Sequence, residues 1–199
     1  MGDVEENAAL VEGLRRGDVA AFDRVYAVHS ARVFSFLLRL SGRRDAAEDL
    51  AQETWIKLAK AAPSLREDTR LAPFLFTVAR NAFVSWRRWA MLDLSRLVTL
   101  GFDSASDAAA GADAPDTLHD RNADIARLDA ALRALPVASR EVLLLVGVEG
   151  FEQEEAATIL GVEYAALRKR LSRARAELAA AMEKLEKKGA PGPRPKEAV

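Results

Sequence analysis

The chain contains no cysteine, which excludes disulfide bonds, thiolate metal sites and thiol nucleophiles. It also lacks any apolar run near the ~20 residues that are needed to cross a bilayer. Its first residues, MGDVEENAAL, are acidic, whereas a secretory signal begins with basic residues and continues with an apolar segment. We therefore expect a cytoplasmic protein with no membrane insertion.

Histidine is scarce as well, since only His29 and His119 are present and they lie far apart in the sequence. The chain has no nucleophile triad, no cluster of metal ligands and no phosphate-binding loop. His29 lies in an amphipathic helical segment, where a structural role is the simpler interpretation. The sequence predicts that the protein is not an enzyme and that it uses no cofactor or metal.

What is present is helical periodicity on a chain that is 50% hydrophobic and 30% charged. Apolar residues recur at helical spacing from Leu10 to Trp89 and again from Ile125 to Leu185. No alternating strand pattern occurs. The predicted fold class is all-α, with two small helical domains.

An acidic segment separates the two domains. Residues 101–120, GFDSASDAAAGADAPDTLHD, contain five aspartates and no lysine or arginine, a composition typical of a flexible linker. The predicted domains are residues 1–95 and 123–186, joined by a linker at 96–122. Residues 187–199 are rich in proline and charge, which predicts a disordered tail.

The segment VARNAFVSWRRW, residues 78–89, places two tryptophans beside three arginines. On a helix, Trp86 and Trp89 share one side, while Arg80, Phe83 and Arg87 lie on another. One interpretation is a buried aromatic face and an ordinary solvated basic face. The other is a helix that is anchored by its tryptophans and presents arginines to a ligand.

The second domain contains the spacing of a helix-turn-helix, FEQEEAATILGVEYAALRKRLSRARAEL. Ala157 lets the helices approach each other, and Gly161 supplies the turn. No acid lies between Arg168 and Arg175, which suits a helix inserted between the phosphate walls of a major groove. A short coiled coil is the alternative, because the apolar gaps alternate between three and four residues.

The segment DAAEDLAQETWIKLAKA, residues 45–61, begins with a capping-box pattern in which Asp45 is the N-cap and Glu48 follows three residues later. Placing the apolar stripe inward leaves Asp45, Asp49, Gln52 and Ile56 outward. An apolar residue within an acidic stripe indicates a partner surface, although an ordinary solvated face remains the alternative.

At these motifs the chain resembles the extracytoplasmic-function sigma factors of the sigma-70 family, bacterial subunits that direct RNA polymerase to promoters. AEDLAQETW is similar to the polymerase-binding helix of that family, and VARN is similar to the start of its promoter-melting helix. LPVASREVLLLVGVEG together with the helix-turn-helix resembles its upstream-element domain. The four blocks occur in the family's order.

The resemblance implies that residues 1–95 bind core polymerase (the beta-prime clamp and beta subunits) and melt the minus-ten element, and that residues 123–186 recognise the minus-thirty-five element as duplex. An anti-sigma factor is a further possible partner. The implied polymerase-binding residues are Asp45, Glu48, Asp49, Gln52, Glu53 and Ile56. The implied minus-ten residues are Arg66, Asp68, Thr69, Arg80, Asn81, Phe83, Arg87 and Arg88. The implied minus-thirty-five residues are Tyr164, Ala165, Arg168, Lys169, Ser172 and Arg173.

The chain departs from the family pattern at several positions. Ala46 stands where the family often has an acid, and Phe74, next to Pro73, stands where it usually has tryptophan. Ala165 and Ala166 replace a frequent Gly-Thr pair at the start of the recognition helix. The promoter sequence therefore cannot be transferred from relatives. Two other functions remain open: a stand-alone helix-turn-helix regulator, and a sigma-like mimic that binds an anti-sigma factor.

Overall fold

The computed structural model describes residues 2–99 and 121–189, and all of the regular secondary structure in these two ranges is helical. The predicted linker and tail therefore lie largely outside the described residues. The first group of helices is α1 (Gly2–Arg15), α2 (Val19–Ser41), α3 (Arg44–Ala61) and α4 (Leu71–Thr99), with a short 3-10 turn at Ala62–Ser64. The second group is α5 (Arg121–Ala134), α6 (Val137–Leu143), α7 (Gln153–Leu160) and α8 (Tyr164–Gly189), with a π-helical turn at Leu144–Val148.

Local sequence signals account for several helix ends. Asp18 caps α2, since its Oδ1 accepts a hydrogen bond of 2.9 Å from the backbone N–H of Ala20. Gly42 ends the same helix in the left-handed region at φ 70°, where a side chain would be strained. Pro136 stands between α5 and α6, as the break in the apolar pattern predicted.

The predicted capping box of α3 is wrong. The helix begins at Arg44, one residue before Asp45, and its N-cap Arg43 makes no capping hydrogen bond with its side chain. Asp45 instead accepts hydrogen bonds from the guanidinium of Arg43, which lower the pKa of its carboxyl group. Glu48 pairs with Arg44 at 2.9 Å, one turn away. Each acid therefore pairs with an arginine at the start of the helix.

The two helical groups pack against each other across an aromatic cluster. The ring of Phe76 in α4 lies 5.1 Å from that of Phe36 in α2 and 4.9 Å from that of Phe151 in the second group, and both pairs meet edge to face. The buried residues of both groups thus form one continuous hydrophobic core. Within the described residues, no helix combines the length and apolar character that a membrane span requires.

Candidate nucleic-acid and partner interfaces

The α3 surface, which we define as Asp49, Gln52 and Ile56, is exposed. Ile56 has 47% of its surface accessible, and the two polar residues are exposed as well. The opposite side of the helix packs into the core through a set of buried residues: Leu50, Thr54 and Leu58. Helical spacing therefore placed an apolar side chain in an acidic stripe, as predicted.

The α3 helix also carries an aromatic pair at its edge. Trp55 is buried, and its ring lies 4.8 Å from that of Tyr26 in α2, which is half-exposed. Among the other predicted polymerase-binding residues, Glu53 is partly buried and pairs with Lys57 at 2.6 Å. Ala46, where the family often has an acid, is buried, so an acid at this position would have to be accommodated in the core.

The predicted minus-ten loop, residues 66–70, joins the first three helices to α4. Its Arg66 and Asp68 side chains are exposed and pair with each other at 2.9 Å, and this hydrogen bond lowers the pKa of the Asp68 carboxyl group. Thr69 is partly buried, and its backbone N–H donates to the Arg66 carbonyl at 3.0 Å, which closes a turn. The three predicted minus-ten residues of this loop are therefore brought together in one turn.

Helix α4 exposes three of its predicted DNA-binding residues: Asn81, Arg87 and Arg88. Arg80 lies on the same helix but is not free. Its Nε donates to Oε1 of Glu141 at 3.1 Å, and 23% of the arginine side chain and 5% of the glutamate side chain remain accessible. The basic face of α4 thus contacts the second helical group at its first arginine.

Phe83 corrects the predicted composition of this basic face. Only 1% of its surface is accessible, so it belongs to the core and not to the DNA-facing side. The reason is helical spacing: Phe83 lies four residues after Ala79 and seven after Phe76, and both of these are fully buried. Its ring packs 6.0 Å from that of Trp86.

The tryptophans also behave differently from each other, against the prediction that both anchor the helix. Trp86 is partly buried against the core, whereas Trp89 is 63% exposed. Helix α4 has 29 residues and is longer than α2, with 23, and α3, with 18. Met91 and Leu92, which follow Trp89 on α4, are exposed as well.

The helix-turn-helix has the predicted form. Gly161 ends α7 with φ 62°, and its neighbours Ile159 and Leu160 are buried together with Leu167 and Leu171 of α8. The predicted recognition residues are all exposed: Tyr164, Ala165, Arg168, Lys169, Ser172 and Arg173. The guanidinium of Arg168 lies 6.0 Å from the centre of the Tyr164 ring, within the range of a cation–π contact.

Sequence reasoning missed the charged contacts between the two helical groups. Arg32 donates to the Glu149 carboxylate at 3.0 Å and to its carbonyl at 2.9 Å, and it stacks over Phe76 and Phe151. Burial nevertheless raises the pKa of the Glu149 carboxyl group. Arg39 pairs with Asp129 at 3.0 Å.

Arg140 makes the most extensive of these contacts. Its guanidinium donates to backbone carbonyls at the end of α2 (Arg39 and Leu40) and at the end of α5 (Leu132, Arg133 and Leu135), over distances of 2.6 to 3.3 Å. Helix ends leave such carbonyls without partners, so one arginine caps two helices. Burial lowers the pKa of Arg140. The only sequence signal was a charged pair, Arg140 and Glu141, at the start of an apolar run.

Comparison with known proteins places these elements in a family. Residues 25–90 match the family model described as Sigma-70 region 2, and residues 125–178 match Sigma-70, region 4. In the described parts of the chain, no three potential metal-ligating side chains come together.

Individual relatives cover most of the chain. The ECF RNA polymerase sigma factor EcfG of Rhodopseudomonas palustris is 34% identical over 163 residues, which are 79% of this chain and 82% of the relative. The RNA polymerase sigma factor CarQ of Myxococcus xanthus is 32% identical over 82% of this chain and 90% of the relative.

A solved structure shows a similar arrangement of helices. The sigma factor RpoE from Bartonella quintana, in a co-crystal structure with the anti-sigma factor NepR, is 28% identical with a TM-score of 0.69, over 83% of this chain and 98% of that one. Two matching regions in the right order, and relatives of this identity and coverage, show that the chain belongs to the extracytoplasmic-function sigma factors of the sigma-70 family.

Proposed function

We propose that this RNA polymerase sigma factor binds the core enzyme through the α3 surface and directs it to promoters through two separate DNA-binding surfaces. The observation that carries the proposal is that different helices expose different kinds of side chain. Asp49 and Gln52 share an exposed stripe of α3 with Ile56, whereas basic residues are exposed on α4 and α8. A protein that joins a partner to DNA needs such separate surfaces.

The α3 surface suits the beta-prime clamp of polymerase. The exposed Ile56 supplies an apolar contact, and Asp49 supplies charge for selectivity and a faster association. Asp45 and Glu48 are already paired with arginines of their own helix end. We therefore assign them a smaller share of the binding free energy than Asp49 and Ile56.

Helix α8 suits duplex DNA at the minus-thirty-five element. Lysine and arginine contacts to phosphates give affinity that depends on salt, whereas contacts to base edges in the major groove give sequence preference. Arg168, Lys169 and Arg173 are exposed on the amino-terminal half of the helix, which is the part that recognition helices place against the bases.

The minus-ten loop and α4 suit single-stranded DNA. Unstacking a base costs a few kcal/mol, so a protein that opens DNA without ATP must hold the extruded base and attract the backbone. Arg66, Asp68 and Thr69 supply polar groups in one turn, and Arg87 and Arg88 supply charge. Arg80 holds Glu141 through its Nε, so a phosphate that approaches this side of the guanidinium competes with the carboxylate.

An anti-sigma factor is a further partner in this proposal. The support is the 28% identical RpoE of Bartonella quintana, whose structure was solved with an anti-sigma factor bound. We also propose that the chain works in the cytoplasm, where promoter DNA and polymerase meet, and that it carries out no chemistry of its own.

The direct test adds the purified chain to bacterial core RNA polymerase with genomic DNA and sequences the 5′ ends of the transcripts. A sigma factor produces starts that share sequence elements upstream and that are absent with core enzyme alone. A stand-alone regulator would bind duplex DNA but leave core enzyme without new starts. A mimic that only sequesters an anti-sigma factor would show neither activity, and either result would overturn the proposal.

A further inference from the structure

We propose that Asn7 of α1 is a positioning residue that fixes the minus-ten loop and thereby sets base selectivity at the minus-ten element. The inference rests on the proposed function of that loop. Asn7 lies outside the sequence motifs that resemble the family and about 60 residues before the loop, so only the folded structure connects the two.

The carboxamide of Asn7 holds the loop backbone at two points. Its Nδ2 donates to the carbonyl of Thr69 at 2.9 Å, and its Oδ1 accepts from the backbone N–H of Leu71 at 3.0 Å. Leu71 is the first residue of α4, and the first N–H groups of a helix have no partner within the helix. Asn7 therefore acts as an N-cap that is supplied by a different helix.

Helix α1, which carries Asn7, is packed closely against the rest of the first helical group. Val11 and Leu14 are fully buried on its inner side. At Gly13, an added Cβ would lie 2.6 Å from the Cβ of Ala21 in α2, which shows how closely the two helices approach. A second contact comes from the end of α1, where Arg15 pairs with Glu67 of the loop at 3.0 Å.

This clamp acts on the residues that are proposed to form the base pocket. Arg66, Asp68 and Thr69 share one turn, and Asn7 binds the carbonyl at the end of that turn. Groups that bind an extruded base must be held to within about 0.5 Å of the productive geometry. Releasing the Thr69 carbonyl would thus alter the pocket without removing any pocket side chain.

The test measures base selectivity in the complete holoenzyme, assembled from the full chain and core polymerase. The probes are fluorescent single-stranded oligonucleotides of the non-template minus-ten sequence, with each base replaced in turn. We compare wild type with Asn7→Ala and Asn7→Asp. The matched control is Glu6→Ala, which removes the neighbouring exposed pair with Arg24 at 3.3 Å and leaves the loop contacts intact.

We expect Asn7→Ala to reduce the preference for the correct base by roughly 10-fold at one or more positions. Core binding and minus-thirty-five duplex binding should not change. Asn7→Asp keeps the acceptor for the Leu71 N–H and loses the donor to Thr69, so it should fold normally and still lose selectivity. Glu6→Ala should match wild type.

Several results would overturn the inference. Unchanged selectivity in Asn7→Asp shows that the loop does not depend on this hydrogen bond, and this variant decides the question if Asn7→Ala fails to fold. An equal loss of affinity for all oligonucleotides shows a purely structural role. If the wild-type holoenzyme does not form or shows no base preference, the proposed function itself fails, and the inference fails with it.

Discussion

Arg80 and Glu141 form a charged hydrogen bond of 3.1 Å that joins α4 to the second domain. The carboxylate has only 5% of its surface accessible, so it is held against the guanidinium with little water around it. A phosphate that approaches the Nε side of this guanidinium would compete with the carboxylate for the same hydrogen. The chain in this arrangement therefore covers part of one of its proposed DNA-binding groups.

We predict that Glu141→Gln increases the affinity of the free chain for a single-stranded minus-ten oligonucleotide. Glutamine keeps a neutral acceptor but removes the charge, and a hydrogen bond to a charged group contributes about 1 kcal/mol more than a neutral one, so we expect a gain of about fivefold. Fluorescence anisotropy without polymerase measures the change. The control is Asp129→Asn, which removes another contact between the domains, the pair with Arg39. An equal gain in both variants would mean that domain separation, and not release of Arg80, controls binding.

The sequence predicted the helices, the turn at Gly161 and the exposed Ile56, because each follows from local spacing along one helix. It failed at Phe83 and Trp89. Both lie on a helix whose inner and outer faces depend on what packs beside it. The contacts of Arg140 and Asn7 were missed because they bridge segments far apart in the chain, and no periodic pattern encodes such a pair.

The two tryptophans of α4 should differ in their effect on stability. Trp86 is partly buried and packs against Phe83, so Trp86→Ala should lower the free energy of unfolding by about 3 kcal/mol. Trp89 is mostly exposed, and Trp89→Ala should change it by less than about 0.5 kcal/mol. Urea unfolding followed by circular dichroism measures both. Equal losses would mean that the end of α4 packs more closely in solution than in this structure.

His29 should make stability depend on pH. Burial, and secondarily the charge of Arg32, hold its pKa below the ordinary 6.5, and its Nδ1 has no hydrogen-bond partner among the described residues. Below pH 6.5 the unfolded chain therefore binds this proton more readily than the folded chain, and the free energy of unfolding falls as the pH falls. The loss levels off below the pKa of the folded state.

The measurement compares wild type with His29→Gln by urea unfolding at several pH values between about 7.5 and 5.0. Glu149 contributes with the opposite sign, because burial raises its pKa and the folded chain then takes up its proton first. That contribution is common to both proteins and cancels in their difference. The variant should lose less stability than wild type on acidification, and parallel curves would rule out the role of His29.

Charge reversal on the α3 surface should weaken polymerase binding without unfolding the domain. Asp49 and Ile56 are exposed, so Asp49→Lys and Ile56→Ala leave the core intact. We expect Asp49→Lys to reduce affinity for core polymerase by at least about tenfold, since like charges across an interface cost several kcal/mol. The control is Glu186→Lys, the same charge change on the exposed end of α8. Full retention of polymerase by Asp49→Lys in a pull-down would show that the contact surface lies elsewhere.

Lys169 and Arg173 of α8 are both exposed. We predict that each makes either a phosphate contact or a base contact with duplex DNA, and that the two kinds of contact can be distinguished. Loss of a phosphate contact reduces the slope of log affinity against log salt concentration by about one unit at every sequence, whereas loss of a bidentate base contact costs about 1 to 3 kcal/mol and relaxes preference at one position. Salt titrations of Lys169→Ala and Arg173→Ala, on the selected duplex and on duplexes with single substitutions, separate the two effects. Lys184→Ala is the control. This exposed lysine lies on the same helix, about 22 Å from Lys169 at 1.5 Å per residue. If neither Lys169→Ala nor Arg173→Ala changes affinity or slope, α8 does not lie in the groove, and the short coiled coil becomes the better interpretation of its apolar spacing.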